Sequence, residues 1–115
     1  MDPLPHKDLK YRTKQFALAI IALYKSLPKT TEAQVIGKQL LRSGTSVGAN
    51  TRAAFRGRST REYVAKLGIV IEEADECGFW LELLSDSGIM PITATSALHK
   101  EADELVSIFT SLVKR

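Results

Sequence analysis

The segment Arg42-Ser43-Gly44-Thr45-Ser46-Val47-Gly48-Ala49-Asn50-Thr51-Arg52-Ala53-Ala54-Phe55-Arg56-Gly57-Arg58-Ser59 constrains the fold more than any other part of the chain. It is built from small residues, with polar groups at helical spacing and four arginines. Small side chains let neighbouring helices approach, so the segment reads as the second half of a long packed helix whose arginines leave the core as a basic edge. Gly37, Gly44 and Gly48 each cost about 1 kcal/mol of helix propensity relative to alanine. Tight interhelical packing has to offset that cost.

The rest of the chain supplies the partners. Leu9, Phe16 and Leu23, with Ile20 and Leu27, recur at spacings of three and four, which predicts an amphipathic helix from about Lys7 to Ser26, ended by Pro28. The second helix opens at Thr31, read as a cap with Gln34 as the other half of a capping box. It carries Val35, Ile36, Leu40, Val47 and Ala54 inward to about Arg56. Gly57 suits a left-handed closing position, and Ser59 with Glu62 forms a second capping box. A third helix then buries Tyr63, Leu67, Val70, Ile71, Ala74, Cys77, Leu81 and Leu84, stopped by Gly88 and Pro91. The fourth begins near Thr93 or Thr95 and carries Leu98, Ala102, Leu105, Ile108, Phe109 and Leu112 to a frayed end at Lys114-Arg115. Short connections between four such helices predict one all-α domain over residues 1–115, an antiparallel up-down-up-down bundle.

Charge is unevenly distributed. The net charge is +3 over 115 residues. Up to Lys66, thirteen Lys/Arg face four acids, giving +9; from Leu67 onward, three face nine, giving −6. A chain split in this way presents a basic surface to an anionic partner or to the acidic half of another copy. The basic part includes Arg52, Arg56, Arg58 and Arg61 around the junction of the second and third helices, with Lys7, Lys10, Arg12 and Lys14 on the first. Of these, Arg52, Arg56, Arg58 and Arg61, followed by Lys10 and Lys14, are the candidates for contacting RNA or DNA phosphates. Such contacts are salt-dependent and weakly sequence-specific.

Other chemistries find less support. Ser43, Ser46 and Ser59 have no nearby base, and His6 and His99 lie towards opposite ends. No Glu-x-x-His pair marks a di-metal bundle, and no Walker or dinucleotide-binding loop is present, so neither catalysis nor a metal or cofactor is expected. Glu72, Glu73, Asp75 and Glu76 point around their helix and read as a solvated acidic face. The single cysteine, Cys77, reads as a small core residue in a reducing, cytoplasmic protein. The start Met1-Asp2-Pro3-Leu4-Pro5 lacks signal-peptide character, and no apolar run approaches the roughly 20 residues of a membrane span. Arg42, Ser46 and Asn50, at i, i+4 and i+8, are expected to form a buried polar ladder with Glu72 or Glu73. Trp80, Tyr63 and Tyr24 read as core or interface rings.

The run Arg42 to Asn50, followed by Arg58-Ser59 and by Glu72-Glu73-Ala74-Asp75-Glu76 ahead of Trp80-Leu81, resembles the bacterial four-helix-bundle proteins encoded in intervening sequences of large-subunit ribosomal RNA genes. Its variant of the pattern is especially similar to the accessory variability determinants of diversity-generating retroelements. The resemblance covers nearly the whole chain and implies a homopentameric barrel with a basic surface. In retroelement members it implies binding to nucleic acid and to the element's reverse transcriptase in mutagenic complementary-DNA synthesis. Where relatives commonly carry Ala-Glu-Gly after the asparagine, this chain reads Thr51-Arg52-Ala53-Ala54-Phe55-Arg56-Gly57, losing the acid and gaining basic charge.

Overall fold

The computed structural model describes residues 3–114, with side chains from His6 onward. Four helices account for almost all of it: α1 (Pro3–Ser26), α2 (Thr31–Ala54), α3 (Thr60–Asp86) and α4 (Ile92–Val113), with no strand among the described residues. The bundle measures 45 × 21 × 19 Å, one helix long and two helices wide. Each helix packs mainly on the next in sequence, and α1 touches α4 more sparingly to close the bundle.

The apolar spacing marks the core well. Leu9, Phe16, Ile20 and Leu23 of α1 with Leu27 just after it, Leu67, Val70, Ala74, Cys77, Leu81 and Leu84 of α3, and Ala102, Leu105 and Phe109 of α4 are buried. In α2 the buried line runs through Ala33, Gly37, Leu40, Gly44, Val47, Thr51 and Ala54. Val35, expected to face inward, is 58% exposed. Val35 lies two positions from both Ala33 and Gly37, on the side of α2 away from that line.

Those small residues set the approach of α1. A Cβ on Gly44 would lie 2.8 and 2.9 Å from Ile20 Cγ1 and Cγ2, one on Gly37 would meet Leu27 and Tyr24, and one on Gly48 would sit 3.4 Å from the Thr13 carbonyl oxygen. As α2 advances through 37, 44 and 48, α1 recedes through 27, 20 and 13, the register of an antiparallel pair. The buried hydroxyls of Thr13 and Thr51 donate to the Leu9 and Val47 carbonyls at 2.8 and 2.7 Å, so they enter the core without an orphaned donor.

Helix ends depart from the sequence expectations in several places. α1 starts at Pro3, because the first amides of a helix have no intrahelical partner and proline there gives up nothing. The cap of α2 is Thr30, not Thr31: its extended backbone (φ −71°, ψ 157°) turns the hydroxyl to accept from the Ala33 amide. Gln34 forms no capping box; it donates to the Pro28 carbonyl and accepts from the Tyr24 hydroxyl at 2.9 Å. α2 stops at Ala54, two residues short of Arg56, and α4 starts at Ile92 behind Pro91. Ser59 does cap α3, accepting from the Glu62 amide, while the Glu62 carboxylate reaches one residue further back to the Arg58 amide.

Gly57 is not left-handed; the sole positive φ among described residues is at Gly88, 80°, where α3 is closed by the Met90 amide donating to the Leu84 carbonyl. Gly57 answers a demand for space instead. A Cβ there would lie 3.0 Å from the Ala54 oxygen and 3.3 Å from the Tyr63 nitrogen.

Candidate nucleic-acid interface

In the antiparallel bundle the start of α1, the end of α2, the α2–α3 turn and the start of α3 all lie at one end. That half of the bundle gathers Lys7, Lys10, Lys14, Arg52, Arg56, Arg58 and Arg61. The turn is held by Phe55, whose ring stacks on His6 (centroids 3.7 Å apart, planes 6° from parallel), with Tyr63 about 6 Å from both at 6.0 and 6.1 Å. This aromatic clasp ties the first turn of α1 to the α2–α3 junction, and Arg56, Arg58 and Arg61 project around it, exposed.

Lys10, Lys14 and Arg52 line a groove of about 380 Å³ between α1 and α2, with Ala17, Thr45, Gly48 and Ala49. None of the lining residues is acidic. The small side chains of Ala17, Gly48 and Ala49 line it between the three cations, so a phosphate can enter between them. The six residues expected to contact phosphate therefore fall into two neighbouring sets, Lys10, Lys14 and Arg52 in the groove and Arg56, Arg58 and Arg61 at the junction. None of the six makes an ion pair with a described carboxylate.

Two other arginines are engaged inside the chain. Arg12, grouped by sequence with the basic face of α1, turns to α4, donating to both carboxylate oxygens of Glu101 at 2.7 and 2.6 Å and to Glu104 at 3.3 Å. The hydrogen bond to Glu101 raises its pKa beyond the ordinary arginine value. This bidentate pair fastens α1 to α4 where their packing is sparse. Sequence could not reveal it, since the partners are 89 residues apart.

Arg42 spans α2 to α3, donating to Glu73 at 2.8 Å, Glu76 at 2.7 Å and the Ser43 hydroxyl at 3.2 Å. Trp80 completes the arrangement by donating its indole N–H to Glu76 at 3.2 Å. Its hydrogen bond to Glu73 raises the Arg42 pKa. Burial pushes the Glu76 carboxyl up, but Trp80 and Arg42 outweigh it and hold Glu76 below the usual carboxylate range.

Of the two acids expected in the ladder, Glu73 is the one engaged and Glu72 stands exposed outside it. The ladder is corrected in two respects: Ser46 and Asn50 bond to each other at 2.8 Å, apart from Arg42, and the Arg42 side chain is 52% exposed rather than buried. The acidic run on α3 is correspondingly half solvated, through Glu72 and Asp75, and half paired. Cys77 is wholly buried, its thiol pushed up to about 12 by burial and by Glu73 and Glu76. On the far side His99 lies 2.7 Å from Glu82 and 3.7 Å from Asp103. No group of three or more metal-ligating side chains gathers among the described residues, and no described helix is long and apolar enough to cross a membrane.

The family model for the 23S rRNA-intervening sequence protein matches residues 7–111. The chain belongs to that family. A crystal structure of a protein of unknown function from the S23 ribosomal protein family, from Bacteroides thetaiotaomicron, superposes with a TM-score of 0.89 at 34% identity, over 96% of this chain and 98% of the other. No curated protein matches the chain.

Proposed function

We propose that this intervening-sequence family member is a non-enzymatic, homo-oligomeric adaptor that binds the backbone of RNA or DNA through its basic end. The observation that carries the reading is a division among the cations. Arg12 and Arg42 are consumed by carboxylates of their own chain, whereas Lys10, Lys14, Arg52, Arg56, Arg58 and Arg61 have no such partner among the described residues. Cations of that kind beside a groove lined with small side chains suit phosphate, whose negative charge is repeated along a polymer. In its finer form the adaptor is a pentamer serving a retroelement reverse transcriptase, for which the similarity of the Arg42–Asn50 run is the support.

The test is binding of a hairpin RNA and of a DNA duplex across a salt series by wild type and by Arg56→Glu/Arg58→Glu. Charge reversal should weaken binding to both by at least tenfold at low salt; undiminished affinity would contradict the proposal. A second reading, in which the two charged halves serve self-assembly alone, draws on the exposed acids Glu72, Asp75 and Asp86 on α3. An assembly that dissociates as salt rises, with no nucleic-acid binding at any salt, would favour it.

A further inference from the structure

Tyr11 is 68% exposed, the most open large apolar side chain among the described residues. At 100° per residue, Lys7, Tyr11, Lys14, Leu18 and Lys25 fall within about 60° of arc on the outward crest of α1. Lys7 and Lys14 are its neighbours at i−4 and i+3, about 5–6 Å away between Cβ atoms. On one flank the crest falls into the groove of Lys10, Lys14 and Arg52. On the other, Tyr11 borders a cleft of about 560 Å³ between α1 and α4, where Arg12 is already held by Glu101.

An open aromatic face beside a cationic track is the arrangement that engages unpaired bases, since a flexible strand can place phosphates on the cations and stack a base on the ring. A duplex keeps its base faces covered. Building on the proposed backbone binding, we infer that Tyr11 is a stacking platform for one unpaired base and that the α1 crest selects single-stranded nucleic acid over duplex. The strand runs along α1 with its phosphates on Lys10, Lys14 and Arg52. Leu18 is 48% exposed on the same crest, so a second copy of α1 is the competing occupant. A symmetric contact of two such crests would set lysine against lysine, which disfavours it.

The experiment compares wild type, Tyr11→Ala and Tyr11→Phe by fluorescence anisotropy on an unstructured RNA of about 20 nucleotides and on the same RNA annealed to its complement, with sedimentation of each protein. Tyr11→Ala should lose roughly 5- to 150-fold on the single strand, stay within about twofold on the duplex and keep the same salt slope; Tyr11→Phe should retain single-strand affinity. Equal effects on both probes, or none, would overturn the inference while leaving backbone binding intact. A lower sedimenting mass for Tyr11→Ala with unchanged strand preference would assign the ring to a contact between copies and overturn it too. Absence of binding by wild type to either probe would instead remove the proposed function beneath it.

Discussion

Replacing Gly44 by alanine measures how tightly the small-residue segment is wedged against α1. Alone, the change favours the helix by about 1 kcal/mol. Here the new methyl would lie 2.8, 2.9 and 3.1 Å from Ile20 Cγ1, Cγ2 and Cβ. Because the last of these is fixed to the backbone, a change of Ile20 rotamer alone does not relieve the crowding, and the two helices must give by a few tenths of an ångström. Overpacking of that kind costs about 1–3 kcal/mol, so Gly44→Ala should be neutral to about 2 kcal/mol less stable than wild type.

Gly68→Ala is the control, since nothing lies within 4 Å of its added Cβ; it should gain up to about 1 kcal/mol. Subtracting one variant from the other cancels the propensity gain and leaves the packing cost, about 1–3 kcal/mol. Urea unfolding at matched protomer concentration gives the difference as a shift in midpoint at unchanged slope. Equal stability of the two variants would refute close α1–α2 packing as the role of Gly44.

Further predictions follow from the same contacts. Arg42→Met should destabilise by about 1–2 kcal/mol, mainly by leaving the nearly buried Glu73 without its partner, and Glu76→Gln by less than about 1 kcal/mol because that pair is partly solvated; chemical denaturation of both variants checks the order. Glu76 is held below its unfolded value, so its contribution should be present above the ordinary carboxylate range and lost as pH falls through the folded pKa. Acid titration of wild type should therefore show a loss that Glu76→Gln lacks. Cys77 should react with an aromatic disulfide reagent at pH 8 only at the rate of opening, and fast modification of native protein would contradict its burial. Gly57→Ala should destabilise by about 1–2 kcal/mol through contact with the Ala54 oxygen, measured by thermal unfolding.

The four helices were legible because burial imposes its period directly on the sequence: Leu9, Phe16, Ile20 and Leu23 of α1 and Leu67, Val70, Ala74, Cys77, Leu81 and Leu84 of α3 are buried as proposed, with Ile71 half-buried beside them. The second helix was harder, since glycine, alanine and hydroxyl residues fill its inward line between Leu40 and Val47 and at its ends, and apolarity added Val35, which is exposed. The N-caps of α2 and α3 were read to within one residue, because Thr30 and Thr31 carry the same hydroxyl and only backbone geometry chooses between them.

At the candidate site the basic residues were legible as composition but not as groups. Their division depends on Glu101 and Glu73, carboxylates on other helices that claim Arg12 and Arg42. The groove brings Gly48 and Ala49 of α2 beside Lys10 and Lys14 of α1. Ser46 and Asn50 share the helical line of Arg42, yet hydrogen bonding within one turn satisfies them before they can reach it.

The central claim, that cations without a carboxylate partner among the described residues are there to meet phosphate, is tested most directly by the salt dependence of RNA binding. Each phosphate contact contributes about 0.7–0.9 to the slope of log Kobs against log salt concentration. Wild type should show a steep negative slope, and Lys10→Gln/Lys14→Gln/Arg52→Gln should make it shallower by about 2–3. A wild-type slope near zero, or one that the triple variant leaves unchanged, would contradict the account.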